Sequence, residues 1–315
     1  MSLISETQPT IRAAMVLVLF KLVLCVSVFG EDGYRLWMRY DAVPSAGVYR
    51  EKIGSVVVDG ESATFDAIRR ELNEGLSGLL GRNIPVTSTL KGETSVLIAT
   101  PKSSAALRSL NLDPELAKLG TEGFIVRSMR MRGRNFTIVI ASTSETGALY
   151  GAFHFLRLIQ TGQPIASLNV SQKPDVKLRI LDHWDNIDRS VARGYAGKSL
   201  WNWDELPKTV DPRLRDYARA NASIGINGST LNNVNANSKF LTEEYLRKVA
   251  AIADVFRPYG IKVYLSARFS SPMELDAGTR YPVRIEDRNG NWIAVRYKKS
   301  MSIGLLDSSA RIDEI

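Results

Sequence analysis

Residues 177–204, KLRILDHWDNIDRSVARGYAGKSLWNWD, decide how this chain is read. LRIL, Leu178 to Leu181, predicts a short strand. The pattern then breaks into a polar loop, where Asp182, His183, Trp184, Asp185, Asn186 and Asp188 crowd the strand's C-terminal end and Trp201 and Trp203 follow. Aromatic faces ringed by hydrogen-bonding side chains suit a sugar, which offers C–H faces and hydroxyl edges. The competing reading makes the tryptophans core residues and the acids helix caps.

The rhythm after this loop is βαβαβ. Leu214 to Ala222 predicts a helix before a strand around Gly225 to Leu231. Thr242 to Tyr259 predicts a second helix, capped by Thr242 with acids in its first turn, before a strand at Ile261 to Ser266. Strands separated by such helices imply a parallel sheet. Asn232, Asn233 and Asn235 then fall at the end of the second strand, where they can bond sugar hydroxyls or simply close turns.

Upstream, from Glu31 to about Val170, strands and helices mix. SVVVDG (55–60) and SVLIATP (95–101) read as strands, the second suited to a sheet covered on both faces. Ala63 to Leu80 carries Phe65, Ile68, Leu72, Leu76 and Leu79 at helical spacing. Asp113-Pro114 predicts a helix start, with Asp113 as the cap. GFIVRSM and NFTIVIAS predict neighbouring strands joined by MRGRN. GALYGAFHFLRLIQTG predicts a helix ended by Gly162, with His154 read as a core histidine rather than a catalyst. Gln163 to Pro174 reads as a linker.

Several of these stretches are similar to a known family. HWDNIDRSVARGYAGKSLWNW, GINGSTLNNVNAN (225–237), YGIKVYLSARFSSPMEL (259–275) and ETGALYGAFHFLRLIQTG (145–162) resemble, in order, the xylan α-glucuronidases of glycoside hydrolase family 67. The resemblance implies a small N-terminal α/β domain over 31–170, followed over 175–275 by the first strands of a (β/α)8 TIM barrel. It implies inverting removal of (4-O-methyl)glucuronic acid from glucuronoxylan-derived oligosaccharides, with no cofactor and no metal, and a homodimer in the full-length family. By resemblance Trp184 packs on the uronic acid and Val234 lines the pocket for its methyl group, so that Val234→Asn or Ser discriminates against the methylated sugar. Asp182, Asn186, Asn233, Asn235 and Arg268 are the further substrate-binding candidates.

The family places its acid, its water-activating carboxylates and the cations that grip the uronate on strand four and later. A full barrel takes roughly 200 residues or more, and about 140 follow Pro174. The resemblance stops at Leu275, and residues 276–315 read as divergent sequence from a frameshift, retained intron or mispredicted exon. The expectation is a truncated chain without catalytic residues of its own, in which Glu274, Glu286, Asp287, Asp307, Asp313 and Glu314 are not the catalytic carboxylates. A non-catalytic sugar-binding or interaction protein, and another barrel glycosidase such as a hexosaminidase, are the competing readings.

Composition sets the remaining bounds. With 315 residues, 44% hydrophobic and 23% charged, the chain can bury a sizeable core and hold two domains. The net charge of +8 is scattered rather than striped, and no nucleic-acid-binding pattern accompanies it. One cysteine, Cys25, excludes an intrachain disulfide, and two histidines argue against structural zinc. Residues 15–30, MVLVLFKLVLCVSVFG, read as the apolar part of a signal peptide over 1–30, shorter than the roughly 20 residues a membrane span needs. The expectation is a secreted protein without stable membrane association. Of the sequons at Asn135, Asn169, Asn221 and Asn227, the first two are the glycosylation candidates, since Asn227 falls at a barrel strand.

Overall fold

The computed structural model describes residues 32–87, 90, 94–131, 136–233, 236–268, 271, 283–286, 292–295 and 311–312. The signal-peptide, Asn135, Val234 and Asn235 expectations lie outside them. The chain divides into two compact units, Met1–Arg39 and Tyr40–Ile315. In the first, residues 33–37 form a turn in which the Leu36 amide donates to the Gly33 carbonyl at 3.0 Å.

The second unit opens with α1 (Ala46–Lys52) and then builds a six-stranded sheet. Its strands are β1 (Ser55–Asp59), β2 (Val86–Thr87), β3 (Thr94–Ala99), β4 (Phe124–Met129), β5 (Phe136–Ala141) and β6 (Asn169–Gln172), in the order β2-β1-β3-β5-β4-β6. The first three and β5 are parallel, while β4 pairs antiparallel with both β5 and β6. The central strands are continuously apolar because both faces are covered. On one face Val57, Leu97, Ala99, Val139 and Ala141 pack with Leu107 and Leu116 of the short helices α3 (Ala105–Arg108) and α4 (Asp113–Leu119).

The long helices α2 (Ala63–Leu80) and α5 (Glu145–Gln160) pack together over the sheet, close enough that a Cβ on Gly75 of α2 would lie 2.7 Å from Leu156 of α5. Ser62 and Ser144 cap them, each hydroxyl accepting from a backbone amide three residues on at 3.2 Å. The cap expected at Asp113 is absent: Leu112 holds that position, and Asp113 with Pro114 sits inside the first turn, where an acid favours the positive helix end and proline's missing N–H costs nothing.

A second, three-stranded sheet follows: β7 (Ile180–Asp182), β8 (Gly228–Thr230) and β9 (Lys262–Tyr264). All are parallel, with Leu181, Ser229 and Val263 in register. Helix α6 (Arg213–Ser223) precedes β8 and α7 (Glu243–Phe256) precedes β9. Thr242 caps α7 through its hydroxyl, which accepts from the Tyr245 amide at 3.5 Å. The chain is therefore α/β, with a mixed N-terminal sheet followed by the strand–helix alternation with which a (β/α)8 barrel begins. Three further strands, β10 (Val283–Glu286), β11 (Trp292–Val295) and β12 (Arg311–Ile312), pair antiparallel in the order β11-β10-β12.

Polar pins tie the three-stranded sheet to the elements before it. Asn227, just ahead of β8, donates to Glu122 at 2.9 Å and to the Lys177 carbonyl at 2.8 Å, and accepts from the Arg179 amide at 2.9 Å. Arg157 of α5 reaches the Ser223 carbonyl at the end of α6, 2.7 Å away. Among the described residues, no helix is long and apolar enough to cross a membrane.

Candidate functional site

The C-terminal ends of β7, β8 and β9 carry the polar residues. The backbone ladder runs past the strands, with the His183 amide donating to the Thr230 carbonyl at 3.2 Å and Leu231 to Tyr264 at 3.0 Å. This brings the loops after β7 and β8 side by side. The Asn233 amide donates to the Asp185 carbonyl at 3.1 Å, and the Asn233 carboxamide nitrogen donates to the Asn186 side-chain oxygen.

Asn186 organises the loop after β7. Its carboxamide nitrogen donates to the carbonyls of Ser190 at 3.1 Å and Ala192 at 2.8 Å and to the Ser190 hydroxyl at 3.0 Å. Those bonds brace a backbone that turns through left-handed conformations at Arg189 (φ 69°) and Ala192 (φ 54°), which non-glycine residues rarely adopt unless their surroundings hold them. Asp188 accepts from the Ser190 amide and hydroxyl at 3.0 and 2.6 Å, and these bonds hold its carboxyl below the usual range.

The aromatics separate into two groups. Trp184 stands 54% exposed at the strand end, its backbone carbonyl held by the Ala192 amide at 2.8 Å. Trp201 and Trp203 are buried at 0% and 1%. Trp201 meets Tyr217 edge-on and packs on Phe256, and Trp203 packs on Phe240. Of the two readings of these indoles, the core reading holds for Trp201 and Trp203: α6 and α7 need large apolar side chains beneath them, and the indoles supply these.

Next to Trp184 in the chain, His183 begins a partly buried polar chain. His183 Nε2 is 2.6 Å from the Tyr217 hydroxyl, which lies 3.1 Å from the Ser229 hydroxyl. His183 Nδ1 faces the buried Asp185 carboxylate at 3.9 Å. Burial pushes the His183 pKa down, against the opposing pull of Asp185 and Asp182. Burial likewise raises that of Tyr217. The imidazole is thus neutral near pH 7, with its ring fixed by hydrogen bonds on one side and an acceptor on the other.

The other candidates fall as follows. Asp182 ends β7 and is exposed. Asn232 is fully buried and staples the loops after β8 and β9, donating to the Ser266 carbonyl at 3.0 Å and accepting from its amide at 2.7 Å. Arg268 is exposed, its backbone amide bonded to the Ser271 hydroxyl at 3.2 Å. Asn169 lies exposed on β6 with its side-chain oxygen accepting from Arg127 at 3.0 Å. Tyr217 and Ser229 were missed. Tyr217 follows Leu214 at helical spacing and so was to be expected on the face of α6 that meets the sheet. Among the described residues no group of acids, histidines and cysteines could hold a metal ion.

The arrangement presents one indole and exposed polar groups on a firmly braced platform, able to stack a sugar ring and hydrogen-bond its edges. Comparisons with known proteins place the sequence in a family. The family model described as "Glycosyl hydrolase family 67 N-terminus" matches residues 36–155, and that described as "Glycosyl hydrolase family 67 middle domain" matches residues 158–292, running past Leu275. Alpha-glucuronidase A of Emericella nidulans is 35% identical over 268 residues, 80% of this chain and 30% of that protein. Probable alpha-glucuronidase A of Aspergillus oryzae is 34% identical over 264 residues, covering 82% and 31%. The chain thus spans about 30% of the length of the curated relatives it matches. Among solved structures, a family GH115 4-O-methyl-alpha-glucuronidase with specificity for decorated arabinogalactans aligns at a TM-score of 0.48 and 15% identity, over 68% of this chain and 28% of that one. With two models of the family matched in order along the sequence, the chain belongs to glycoside hydrolase family 67, of which it carries the N-terminal domain and middle-domain sequence.

Proposed function

We propose that this chain forms the sugar-positioning front of a secreted α-glucuronidase that removes (4-O-methyl)glucuronic acid from xylooligosaccharides by inverting hydrolysis. The observation that carries the reading is Trp184. It is a large indole held in solvent by a loop whose own polar groups brace the backbone, at the strand ends where barrel enzymes bind substrate. The relatives' name, alpha-glucuronidase A, supports the substrate class.

In this reading Trp184 stacks on the uronic acid, and Asp182 and Arg268 reach its polar edge. Asn186 and Asn233 act by holding the loop. Inverting hydrolysis needs a proton donor and a separate carboxylate that activates water on the opposite face of the sugar. Asp185 is a poor candidate for either, since its carboxylate is buried against His183. We assign the acid, the base and the cations that grip the uronate to later barrel strands.

The test uses the purified 315-residue chain and aldouronic acids. Calorimetry is expected to detect weak binding that is lost in Trp184→Ala, with no uronic acid released. Release by this chain would overturn the assignment of the catalytic groups, and absence of binding would overturn the platform.

A further inference from the structure

A second concavity lies at the opposite end of the three-stranded sheet. It is a cleft of about 520 Å³ where the N-terminal ends of β7 and β8, marked by Arg179 and Gly225, meet the face of α5 and the end of β6. Trp184 follows β7, whereas Arg179 precedes it, so the two sites lie at opposite strand ends.

Charge and hydrogen bonding in this cleft are unbalanced. Glu122 is the carboxylate among its lining residues, and it is already paired, with Arg179 at 3.1 Å and with the Asn227 carboxamide at 2.9 Å. Arg179 is committed as well, to the Gly225 carbonyl at 2.5 Å and the Val176 carbonyl at 2.6 Å. This leaves Arg157, which spends one nitrogen on the Ser223 carbonyl, and the exposed Lys173 as cations that Glu122 does not offset.

The Tyr150 hydroxyl is the second observation. Tyr150 is 6% exposed, and its buried hydroxyl has the Arg179 guanidinium as its polar neighbour but forms no well-aligned hydrogen bond within the protein. Leaving such a group unpaired is costly, and buried hydroxyls are nearly always satisfied. Burial, aided by the Glu122 charge and opposed by Arg179, pushes its pKa up to about 12, so it stays a donor at any physiological pH. Beside it His154, its pKa lowered by burial and by Arg157, stands against the Phe124 ring at 5.4 Å.

We propose that this cleft is a second binding site, for a carboxylate carried on a sugar-sized body. Arg157 and Lys173 face the anion, Tyr150 donates to it, and the Phe124–His154 wall takes the C–H face. The volume lies in the range of small-molecule sites and is more than an inorganic anion fills. The assignment does not depend on the reading of the Trp184 platform.

The sequence contains two histidines, and one lies at each site, His154 here and His183 next to Trp184 in the chain. Ring-labelled histidine in the full chain therefore reports the two sites separately by NMR, with His154→Gln to assign the signals. Titration with glucuronate is expected to move the His154 signal to saturation, in a way independent of any change at His183. Glucose and inorganic phosphate are expected to bind at least about tenfold more weakly, the scale of one charge-assisted hydrogen bond. Tyr150→Phe is expected to weaken glucuronate about tenfold with little change in melting temperature, because the lost hydroxyl forms no well-aligned bond within the protein. Should that variant melt early, Lys173→Glu, an exposed change, takes its place with the same expectation. An unmoved His154 signal, or undiminished affinity in the variant, overturns the site. Equal affinity for phosphate overturns the sugar-acid assignment.

Discussion

Arg219 of α6 grips Glu71 of α2 with two hydrogen bonds, Nε to Oε2 at 2.5 Å and Nη2 to Oε1 at 2.9 Å. Residues 148 apart in sequence are thereby joined, and the helix that supports β8 is fixed to the helix that covers the six-stranded sheet. The Glu71 side chain is 4% exposed and also accepts from the Tyr40 hydroxyl, while Arg219 lies near the Tyr40 ring, its guanidinium carbon 5.7 Å from the ring centre. Removing one member of a buried pair strands the other. Arg219→Ala is expected to lower stability by about 3–5 kcal/mol. Glu71→Leu with Arg219→Leu is expected to recover part of that loss, since neither charge is then left buried alone. Urea unfolding of the single and double variants checks both.

The three loop tryptophans should behave differently. Trp184 is more than half exposed, so Trp184→Ala is expected to change stability within about 0.5 kcal/mol while abolishing sugar binding. Trp201 is fully buried against Tyr217 and Phe256, and Trp201→Ala is expected to cost about 3–5 kcal/mol through the cavity it leaves. Thermal melts together with aldouronic acid calorimetry separate the two roles.

These tryptophans also mark what the sequence could tell. Periodicity located α2 at Ala63–Leu80 and placed α5, α6, α7 and the three parallel strands, because an apolar face must recur at the element's own period. It could not tell Trp184 from Trp201 and Trp203. They occupy one aperiodic loop, and the choice depends on where helices distant in the chain come down. Asn227 shows the opposite case. Its sequon was discounted because the residue falls at a strand, and its side chain is indeed taken up by Glu122, Lys177 and Arg179. The pair of Arg219 with Glu71 was invisible, since a charged residue on a helix reads as solvent-facing until its partner is known.

The centre of the three-stranded sheet depends on a missing side chain. A Cβ on Gly228 would lie 2.7 Å from Ile180 Cγ1 and 2.9 Å from Tyr264 Cε2, with neighbouring strands on both sides. Gly228→Ala is expected to cost about 1–3 kcal/mol by overpacking, despite alanine's lower conformational entropy in the unfolded chain. Urea unfolding measures the cost, and an unchanged or raised midpoint would show that Ile180 and Tyr264 can yield.

Both histidines should make the fold acid-sensitive. Burial holds the pKa of His154 and of His183 below the usual histidine value, the second despite Asp185 and Asp182. In the unfolded chain each titrates near about 6.5. Below that pH the unfolded state therefore binds more protons than the folded one, and stability falls with falling pH. The contribution is complete above about pH 6.5 and disappears as pH drops through the depressed folded values. Urea midpoints are thus expected to fall between pH 7.5 and pH 5.5. His183→Gln removes the titrating group, although it also disturbs the bond to Tyr217 and lowers stability at every pH. The informative quantity is the slope, which should be shallower in the variant than in the parent over that interval. Equal slopes would mean that the acid sensitivity comes from other groups, and that the His183 imidazole titrates as freely in the folded protein as in water.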